Sequence, residues 1–382
     1  MNDQERTHRM LSIAARAALR GMGRVEPNPM VGCVIARGDE VLGIGHHTRF
    51  GDLHAEREAL ASCRRQGHDP RGATCYVTLE PCCHTGKQPP CTEALIEAGV
   101  ARVVAAVKDP GEQSGGGFDV LRKAGIECAF AEPREEAGSL ADAFRQCASN
   151  GRPWIIGKWA QTIDGRVATR TGESKWLTGP SARRRVHRLR GMVDAIITGI
   201  NTVLKDDPDL TARGVPIRRV ARRIVIDRGL QIPSEAKLLS QPLVAPVSIV
   251  CGLEEAAGDR AKALRDLGVE VMGANVASDG RLDLNDAIRR LSSAHEITTM
   301  MTECGPRLLG AIDRHVGFNE LRVYVAPMLF GDKDSRMSIE GDGFLERLSD
   351  ADRFRLLRVK RVGDNDIELT YRFGDVPGVL LG

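Results

Sequence analysis

The stretch from His54 to Cys91 holds an imidazole at His54, a carboxylate at Glu56, and thiols at Cys82 and Cys91. One imidazole and two thiolates give a zinc ion three protein ligands and leave a fourth position open for water, as a catalytic zinc requires. Zinc lowers the pKa of a bound water from 15.7 to about 7, so hydroxide is available near neutral pH. Glu56 is not needed as a ligand. It stands where a carboxylate can take the water's proton and pass it to a leaving group. Hydroxide plus a proton shuttle suits hydrolytic loss of an amine from a ring carbon.

An HxE followed by PC and a later cysteine is the pattern of zinc deaminases that act on nucleobase-like rings. The short form is PCxxC. Here Thr85 stands where the second cysteine falls, and the next thiol is Cys91, across a loop with Gly86, Pro89 and Pro90. Cys83 and His84 are rival ligands, although adjacent residues such as Cys82 and Cys83 rarely point at one metal from a tight turn. The competing reading is a structural zinc, or buried cysteines beside a helix-capping histidine. A structural site closes four ligands and has no use for Glu56.

These groups need elements to hold them. Met10, Ile13, Ala14, Ala17 and Ala18 fall on one helical face that ends near Gly21 and Gly23. Two apolar runs joined at Gly38–Asp39 predict a hairpin, entered through a rigid turn at Pro27 and Pro29. Between these prolines, the amide of Asn28 either bonds a ring edge or serves the turn. Asp52 is expected to cap a helix from near His54 toward Gln66, with its N-terminus facing the metal. ATCYVTLE reads as a buried strand, TEALIEAG as a helix and ARVVAAV as another strand. The first half is therefore βαβα, with both ligand groups at strand–helix junctions. The glycine run Gly115–Gly117 lacks GxGxxG spacing and reads as a flexible loop.

A polar helical connector over 132–150 leads to a turn cluster at Asn150–Pro153, which divides the chain into domains 1–149 and 150–382. WIIGKWAQTIDGRVA then predicts a strand and a turn. Pro180 suits the first position of a helix that ends near Gly191. VDAIITGI, RRIVID, PVSIVCG, VEVMG and ITTMMTEC predict further strands, and the helical stretches between several of them imply a second α/β sheet. In ECGPRLLGAI, Gly305 lets backbone approach a ligand at a helix N-terminus suited to phosphate. Arg183, Arg184, Arg185, Arg188 and Arg190 form a basic helix, either a solvated face or partly a phosphate contact.

Composition narrows the function. The 382 residues balance Lys+Arg 54 against Asp+Glu 51, a net +3, and aromatic residues make up 4%. Neither a nucleic-acid field nor a stacking platform for single strands follows. The polar start to Asn28 is not expected to be a signal peptide, and no apolar run approaches a membrane span of ~20 residues. The 10 cysteines suit a reducing, cytoplasmic setting. Cys63, Cys75, Cys128, Cys147 and Cys251 are expected to be core thiols.

Taken together, the chain resembles the bifunctional deaminase–reductases of riboflavin biosynthesis, the RibD family, over nearly its whole length. The matching pieces are PNPMVGCV, the glycines and histidine before Arg49, HAE and TLEPC–H–GK–PPC. In the second half they are TIDGR, GESKWLTG, AR–VH–LR, DAI–G–TV–DDP–LT–R, RIVID and ECGP. The block from Asp194 to Arg213 is the most specific, because lone nucleobase deaminases share HAE and PC. The resemblance implies an α/β fold: a cytidine-deaminase-like three-layer domain followed by a dihydrofolate-reductase-like domain. It implies hydrolytic removal of the 2-amino group of 2,5-diamino-6-(5-phosphoribosylamino)pyrimidin-4-one, then NADPH reduction of the ribosyl to the ribityl side chain.

Carried over residue by residue, the resemblance makes His54, Cys82 and Cys91 the ligands of one zinc per chain and Glu56 the acid/base. Asn28, His47, His84 and Lys87 become substrate contacts in the first domain, and Ser174, Arg190, Leu210, Arg213 and Glu303 in the second. Lys158, Ala160, Trp176, Thr202, Asp206, Arg228, Gly305, Pro306 and Arg307 become the NADPH contacts. A homodimer or homotetramer in the cytoplasm is expected. Some positions depart from the family: Cys83 for serine, Leu53 for proline, Gly111 for asparagine after Asp109–Pro110, and TIDG at Thr162–Gly165 for SLDG. Two other readings compete: a nucleic-acid or free-base deaminase with an appended module, and a zinc-stabilised nucleotide sensor without turnover.

Overall fold

The computed structural model describes all residues except 113, 133–135, 241–244, 278–279, 342–345 and 375–382. Two compact units divide the chain, Met1–Gly151 and Arg152–Asp375. No helix among the described residues is long and apolar enough to cross a membrane.

The first unit runs α1 (Asp3–Ala18), β1 (Gly32–Arg37), β2 (Glu40–His46), α2 (Ala55–Arg65), β3 (Thr74–Val77), α3 (Cys91–Glu97), β4 (Arg102–Ala105), α4 (Gly117–Lys123), β5 (Glu127–Phe130) and α5 (Asp142–Asn150). Its sheet order is β2-β1-β3-β4-β5. β1 is antiparallel to β2 and β3, and β3, β4 and β5 are parallel. Strand alternation fills two cores. Cys33 and Ile35 face α2, α3 and α4, with Leu60, Leu95 and Phe118, while Val34 and Ala36 face Met10, Leu11 and Ala14 of α1. A sheet covered on both faces is why these strands read as unbroken apolar runs.

Two expectations fail here. Asp52 does not cap α2; its carboxylate accepts a hydrogen bond from the Thr48 hydroxyl at 2.9 Å. His54 is itself the N-cap residue and makes no side-chain cap bond, because its ring turns toward the cysteines instead. The Gly115–Gly117 run is not a flexible loop: Gly116 adopts φ +87 as the N-cap and Gly117 opens α4. A Cβ on Gly117 would sit 1.8 Å from the Pro81 carbonyl oxygen, so glycine is required for α4 to pack against the segment carrying Cys82.

The second unit contains β6 (Trp154–Gln161), β7 (Arg166–Ala168), α6 (Pro180–Arg190), β8 (Ala195–Gly199), α7 (Ile200–Asp206), β9 (Arg222–Ile226), β10 (Val247–Gly252), α8 (Leu253–Ala257), α9 (Asp259–Asp266), β11 (Glu270–Ala274), α10 (Leu284–His295), β12 (Thr299–Thr302), α11 (Pro306–His315), β13 (Glu320–Val325), β14 (Arg336–Met337), β15 (Phe354–Val362) and β16 (Asp366–Phe373). Nine strands form one sheet in the order β11-β10-β9-β8-β12-β6-β13-β16-β15. Neighbours from β11 to β13 are parallel, and the β15–β16 hairpin joins β13 antiparallel. Ile155, Ile197, Ile224 and Val250 pack against α10 and α11 through Leu291, Leu309 and Ile312. The chain leaves β6 for β8 on one side and later inserts β12 between them. The strand ends of β8, β12 and β6 thus surround a topological switch, where open α/β sheets leave a ligand crevice.

Candidate active sites

In the first unit two helix N-termini bring the donor atoms together. His54 precedes the first turn of α2, and Cys91 is the first residue of α3. Their partner Cys82 follows the segment after β3. A tetrahedral zinc with Zn–N about 2.0 Å and Zn–S about 2.3 Å sets N···S separations of about 3.5 Å. His54 Nδ1 lies 3.5 Å from Cys82 Sγ and 3.4 Å from Cys91 Sγ. All three donor atoms fall within 4.8 Å of one another, so the donor set fits the ion. The Cys91 backbone N–H donates to Cys82 Sγ at 3.4 Å. Cys91 hydrogen bonding, ahead of the His54 contact, holds the Cys82 thiol down to about 4, while sharing that charge pushes Cys91 well up. Helix N-termini favour such thiolates.

The rival ligands lie elsewhere. The Cys83 thiol donates to the Gly115 carbonyl at 3.0 Å, and burial pushes it up. His84 is half-buried, with a buried Nδ1 that has no hydrogen-bond partner, and it is not among the converging donors. Glu56, only 3% exposed, stands in the first turn of α2. Burial, then the Cys82 charge, pushes its carboxyl up to about 7.

Asn28 and His47 meet at the same end. His47 Nδ1 donates to the Leu53 carbonyl at 3.0 Å, which leaves Nε2 to accept from Asn28 Nδ2 at 3.3 Å. Its ring packs edge-on to His54 with centroids 5.4 Å apart, and burial lowers its pKa. Asn28 keeps its carbonyl oxygen and second N–H for another partner. Lys87 is exposed, its ammonium 3.7 Å above the Phe50 ring.

Sequence reasoning missed two residues here. Glu80 is buried and accepts from the backbone N–H of Asp109 at 3.3 Å and of Phe118 at 2.9 Å, tying the Cys82 segment to α4. An acid inside a buried strand run was its signal. Arg57 donates to the carbonyls of Pro89 and Pro90 at 3.1 and 2.8 Å. Its signal was a basic residue in a helix's first turn, where the dipole disfavours it.

In the second unit the chemistry-bearing residues come from the end of β12, from within the neighbouring parallel strand β6 and from the end of α6. Glu303 follows β12 and is held from two sides. Arg190 at the end of α6 grips it with two bonds, 2.5 Å and 3.0 Å, and Lys158 of β6 lies 3.2 Å away. Burial pushes the Glu303 carboxyl up, but Arg190 and Lys158 overcome it and hold it down to about 2. Two cations against one anion leave the cluster positive. Arg190 also donates to the Thr211 carbonyl at 3.0 Å, on the loop after α7. That loop carries Leu210, buried with φ +58, and Arg213, exposed and 2.5 Å from Asp209.

Thr202 and Asp206 lie on α7. Asp206 pairs with Lys175 at 3.3 Å, and Lys205 donates to the Gly172 carbonyl, so α7 secures the segment with Ser174 and Trp176. Ser174 is half-buried; Trp176 is 69% exposed, with the Arg183 guanidinium 4.6 Å from its ring centroid. Ala160 packs beside Ala182 and Tyr324. Arg228, after β9, donates to the Gly280 carbonyl. Gly305 caps α11 and Pro306 is its first residue. Arg307 is largely exposed and 3.8 Å from Glu340. Arg228 and Arg307 thus bond outside the Lys158–Glu303–Arg190 cluster. A Cβ on Gly305 would meet nothing within 4 Å, so the space over this helix N-terminus is open.

A three-ligand metal cradle with a buried carboxylate in one unit, and a Lys158–Glu303–Arg190 charge cluster at a switch in a parallel sheet in the other, define a two-domain enzyme with a hydrolytic site and a second site. The cytidine and deoxycytidylate deaminase zinc-binding region matches residues 4–107, and the RibD C-terminal domain matches 153–367. The riboflavin biosynthesis protein RibD of Escherichia coli (strain K12) is 38% identical over 360 residues, 92% of this chain and 95% of that protein. That of Aquifex aeolicus (strain VF5) is 37% identical over 356 residues, 93% of this chain and 95% of that protein. The solved structure of Acinetobacter baumannii RibD, form 1, superposes with a TM-score of 0.83 at 34% identity, covering 98% of this chain and 100% of that one. The diaminohydroxyphosphoribosylaminopyrimidine deaminase/5-amino-6-(5-phosphoribosylamino)uracil reductase of Thermotoga maritima gives 0.82 at 31% identity, with the same coverage. The chain belongs to the RibD family of bifunctional riboflavin-biosynthesis deaminase–reductases.

Proposed function

We propose that the first unit deaminates 2,5-diamino-6-(5-phosphoribosylamino)pyrimidin-4-one and that the second reduces the product's ribosyl group with NADPH, giving 5-amino-6-(5-phosphoribitylamino)uracil. The observation that carries the first step is the pair of N···S separations at His54, which match a zinc tetrahedron and leave one corner free. A zinc held by His54, Cys82 and Cys91 supplies hydroxide near neutral pH. Glu56 moves the proton: its carboxylate takes it from the water and delivers it to the departing amine, work suited to a group buried beside the ligands. Asn28 reads the ring edge with its free amide atoms, oriented by His47. His84 offers its unpartnered Nδ1 to the substrate, and Lys87 its charge to the phosphate.

In the second unit NADPH supplies the hydride. Lys158, Ala160, Trp176, Thr202, Asp206, Arg228, Gly305, Pro306 and Arg307 hold it. The open space over Gly305 supports that placement, because neither its backbone (φ −72) nor its packing explains a glycine there. Glu303, Arg190, Ser174, Leu210 and Arg213 hold the sugar phosphate. The fixed charge of Glu303 orients Arg190 and Lys158, and a guanidinium fork suits phosphate oxygens. Two or four copies assemble in the cytoplasm. Support for assembly comes from an apolar cross-strand stripe on the β15–β16 hairpin, where Leu356 pairs with Tyr371 and Val359 with Leu369. Leu356 and Val359 are 48% and 58% exposed.

The test mixes protein, the diaminopyrimidinone ribotide and NADPH, and follows ammonia and NADPH absorbance together. The expected result is that zinc chelation stops both signals, since deamination comes first. NADPH loss that ignores chelation reverses the order of steps. Ammonia without NADPH loss overturns the reading of the second unit.

A further inference from the structure

We infer that Arg57 is a positioning residue for the metal cradle: its guanidinium fixes the Pro89–Pro90 turn and so sets where the Cys91 thiolate stands. The inference rests on the zinc reading of His54, Cys82 and Cys91. Arg57 occupies the third position of α2, after the N-cap His54. A cation there opposes the helix dipole, so the position is unfavourable unless the side chain is used elsewhere. It is used on Cys91's doorstep. Nε donates to the Pro89 carbonyl at 3.1 Å and Nη2 to the Pro90 carbonyl at 2.8 Å.

Those two carbonyls are the acceptors immediately before Cys91, and proline has no N–H to donate. The rest of the turn is tied further back, by Gln88 Nε2 to the Gly51 carbonyl at 3.0 Å and Gly86 N–H to the Gln88 carbonyl at 3.1 Å. Pro90 is also the N-cap of α3 without a side-chain cap bond, so nothing in its own side chain fixes the start of that helix. One planar fork therefore joins the helix start that carries His54 and Glu56 to the helix start that carries Cys91. A lysine has no fork: a single ammonium can serve one carbonyl well, or two poorly.

Groups that orient metal ligands typically change affinity on the order of 10–100-fold when removed. In the full-length protein, Arg57→Ala is expected to release zinc to a chelator roughly ten-fold faster, with Arg57→Lys between it and the parent. Cobalt replaces zinc in a second measurement: the thiolate-to-cobalt absorption of Arg57→Ala is expected to shift, and Arg57→Lys to restore part of it. A change in fold stability alone can alter the release rate but does not shift the cobalt spectrum of the bound state. NADPH oxidation on pre-deaminated substrate reports whether each variant is folded in its second unit. Release within two-fold of the parent and an unshifted cobalt spectrum overturn the role of Arg57. A parent protein that binds neither ion at one per chain overturns the zinc reading itself.

Discussion

Glu56 is a buried carboxylate and Glu303 a largely buried one, 10% exposed, and their surroundings drive them in opposite directions. Glu56 has thiols for neighbours, and burial leaves its carboxyl at about 7. Glu303 meets the same penalty, but Arg190 and Lys158 hold it at about 2. One carboxyl is kept able to give and take a proton; the other is a fixed charge that aims two cations. A proton shuttle works best near the working pH, whereas an anchor must not titrate at all. The contrast is what the proposed roles require of a group that reacts and a group that positions.

The sharpest break is Glu56→Gln. An amide neither takes nor gives the proton, so ammonia release is expected to fall by about 10²–10⁴-fold. NADPH oxidation on pre-deaminated substrate should be unchanged. A variant that releases ammonia at the parent rate would remove Glu56 from the chemistry.

Next in size is Arg190→Met, which strips the bidentate partner from Glu303. Breaking a buried ion pair from one side costs about 3–5 kcal/mol, and the remaining Lys158 contact favours the lower end. The readout is local, because Trp154, Trp159 and Trp176 all lie in the second unit and are the chain's 3 tryptophans. Tryptophan fluorescence in a denaturant series is expected to show an earlier transition and ammonia release to continue. An unmoved midpoint would mean that Glu303 needs no anchor.

Acid should dismantle the same anchor. The folded pKa of Glu303 lies below its ordinary 4.5, at about 2. Its stabilisation is therefore complete above pH 4.5 and is lost as pH falls toward 2. The shift corresponds to roughly 3 kcal/mol. Glu303→Gln lacks this component, so its stability deficit relative to the parent is expected to shrink by that amount across this window. A deficit independent of pH across this window would show that the native fold does not hold the Glu303 carboxyl below its ordinary range.

The two regions were also unequally legible. The metal cradle could be read because each of two ligands sits at a helix start, within a short span of chain. The Lys158–Glu303–Arg190 cluster has no local spacing, since parallel strand order brings together residues far apart in sequence; only the family resemblance pointed to it. Part of the second sheet escaped for a different reason. In β13 and β16 the alternation is inverted: Glu320, Arg322, Glu368, Thr370 and Arg372 are buried, while Ile367 and Phe373 are 39% and 49% exposed. Arg322 joins Glu320 at 2.5 Å and Glu368 at 3.4 Å, and Arg185 of α6 closes on Glu368, so charge is buried in pairs. A rule that places apolar residues inside assigns these strands the wrong face, or no strand. Arg57 escaped because an arginine on a helix surface has many ordinary uses.

The smallest effect tests the second-unit side of the comparison by setting stability against binding. Gly305 is the N-cap of α11, with φ −72 and no side-chain cap bond. Serine is a better cap, worth a few tenths of a kcal/mol over glycine. Its side chain also has room, since a Cβ there meets nothing within 4 Å. Gly305→Ser is therefore expected to leave the tryptophan-monitored midpoint unchanged or slightly higher. If NADPH approaches that helix start, the same hydroxymethyl stands in its way, and the KM for NADPH should rise roughly ten-fold, equivalent to about 1.4 kcal/mol. Opposite signs on the two readouts cannot come from damage to the fold. A midpoint that rises with no change in KM would place the cofactor away from Gly305, and with it the helix-terminus part of the proposed NADPH site.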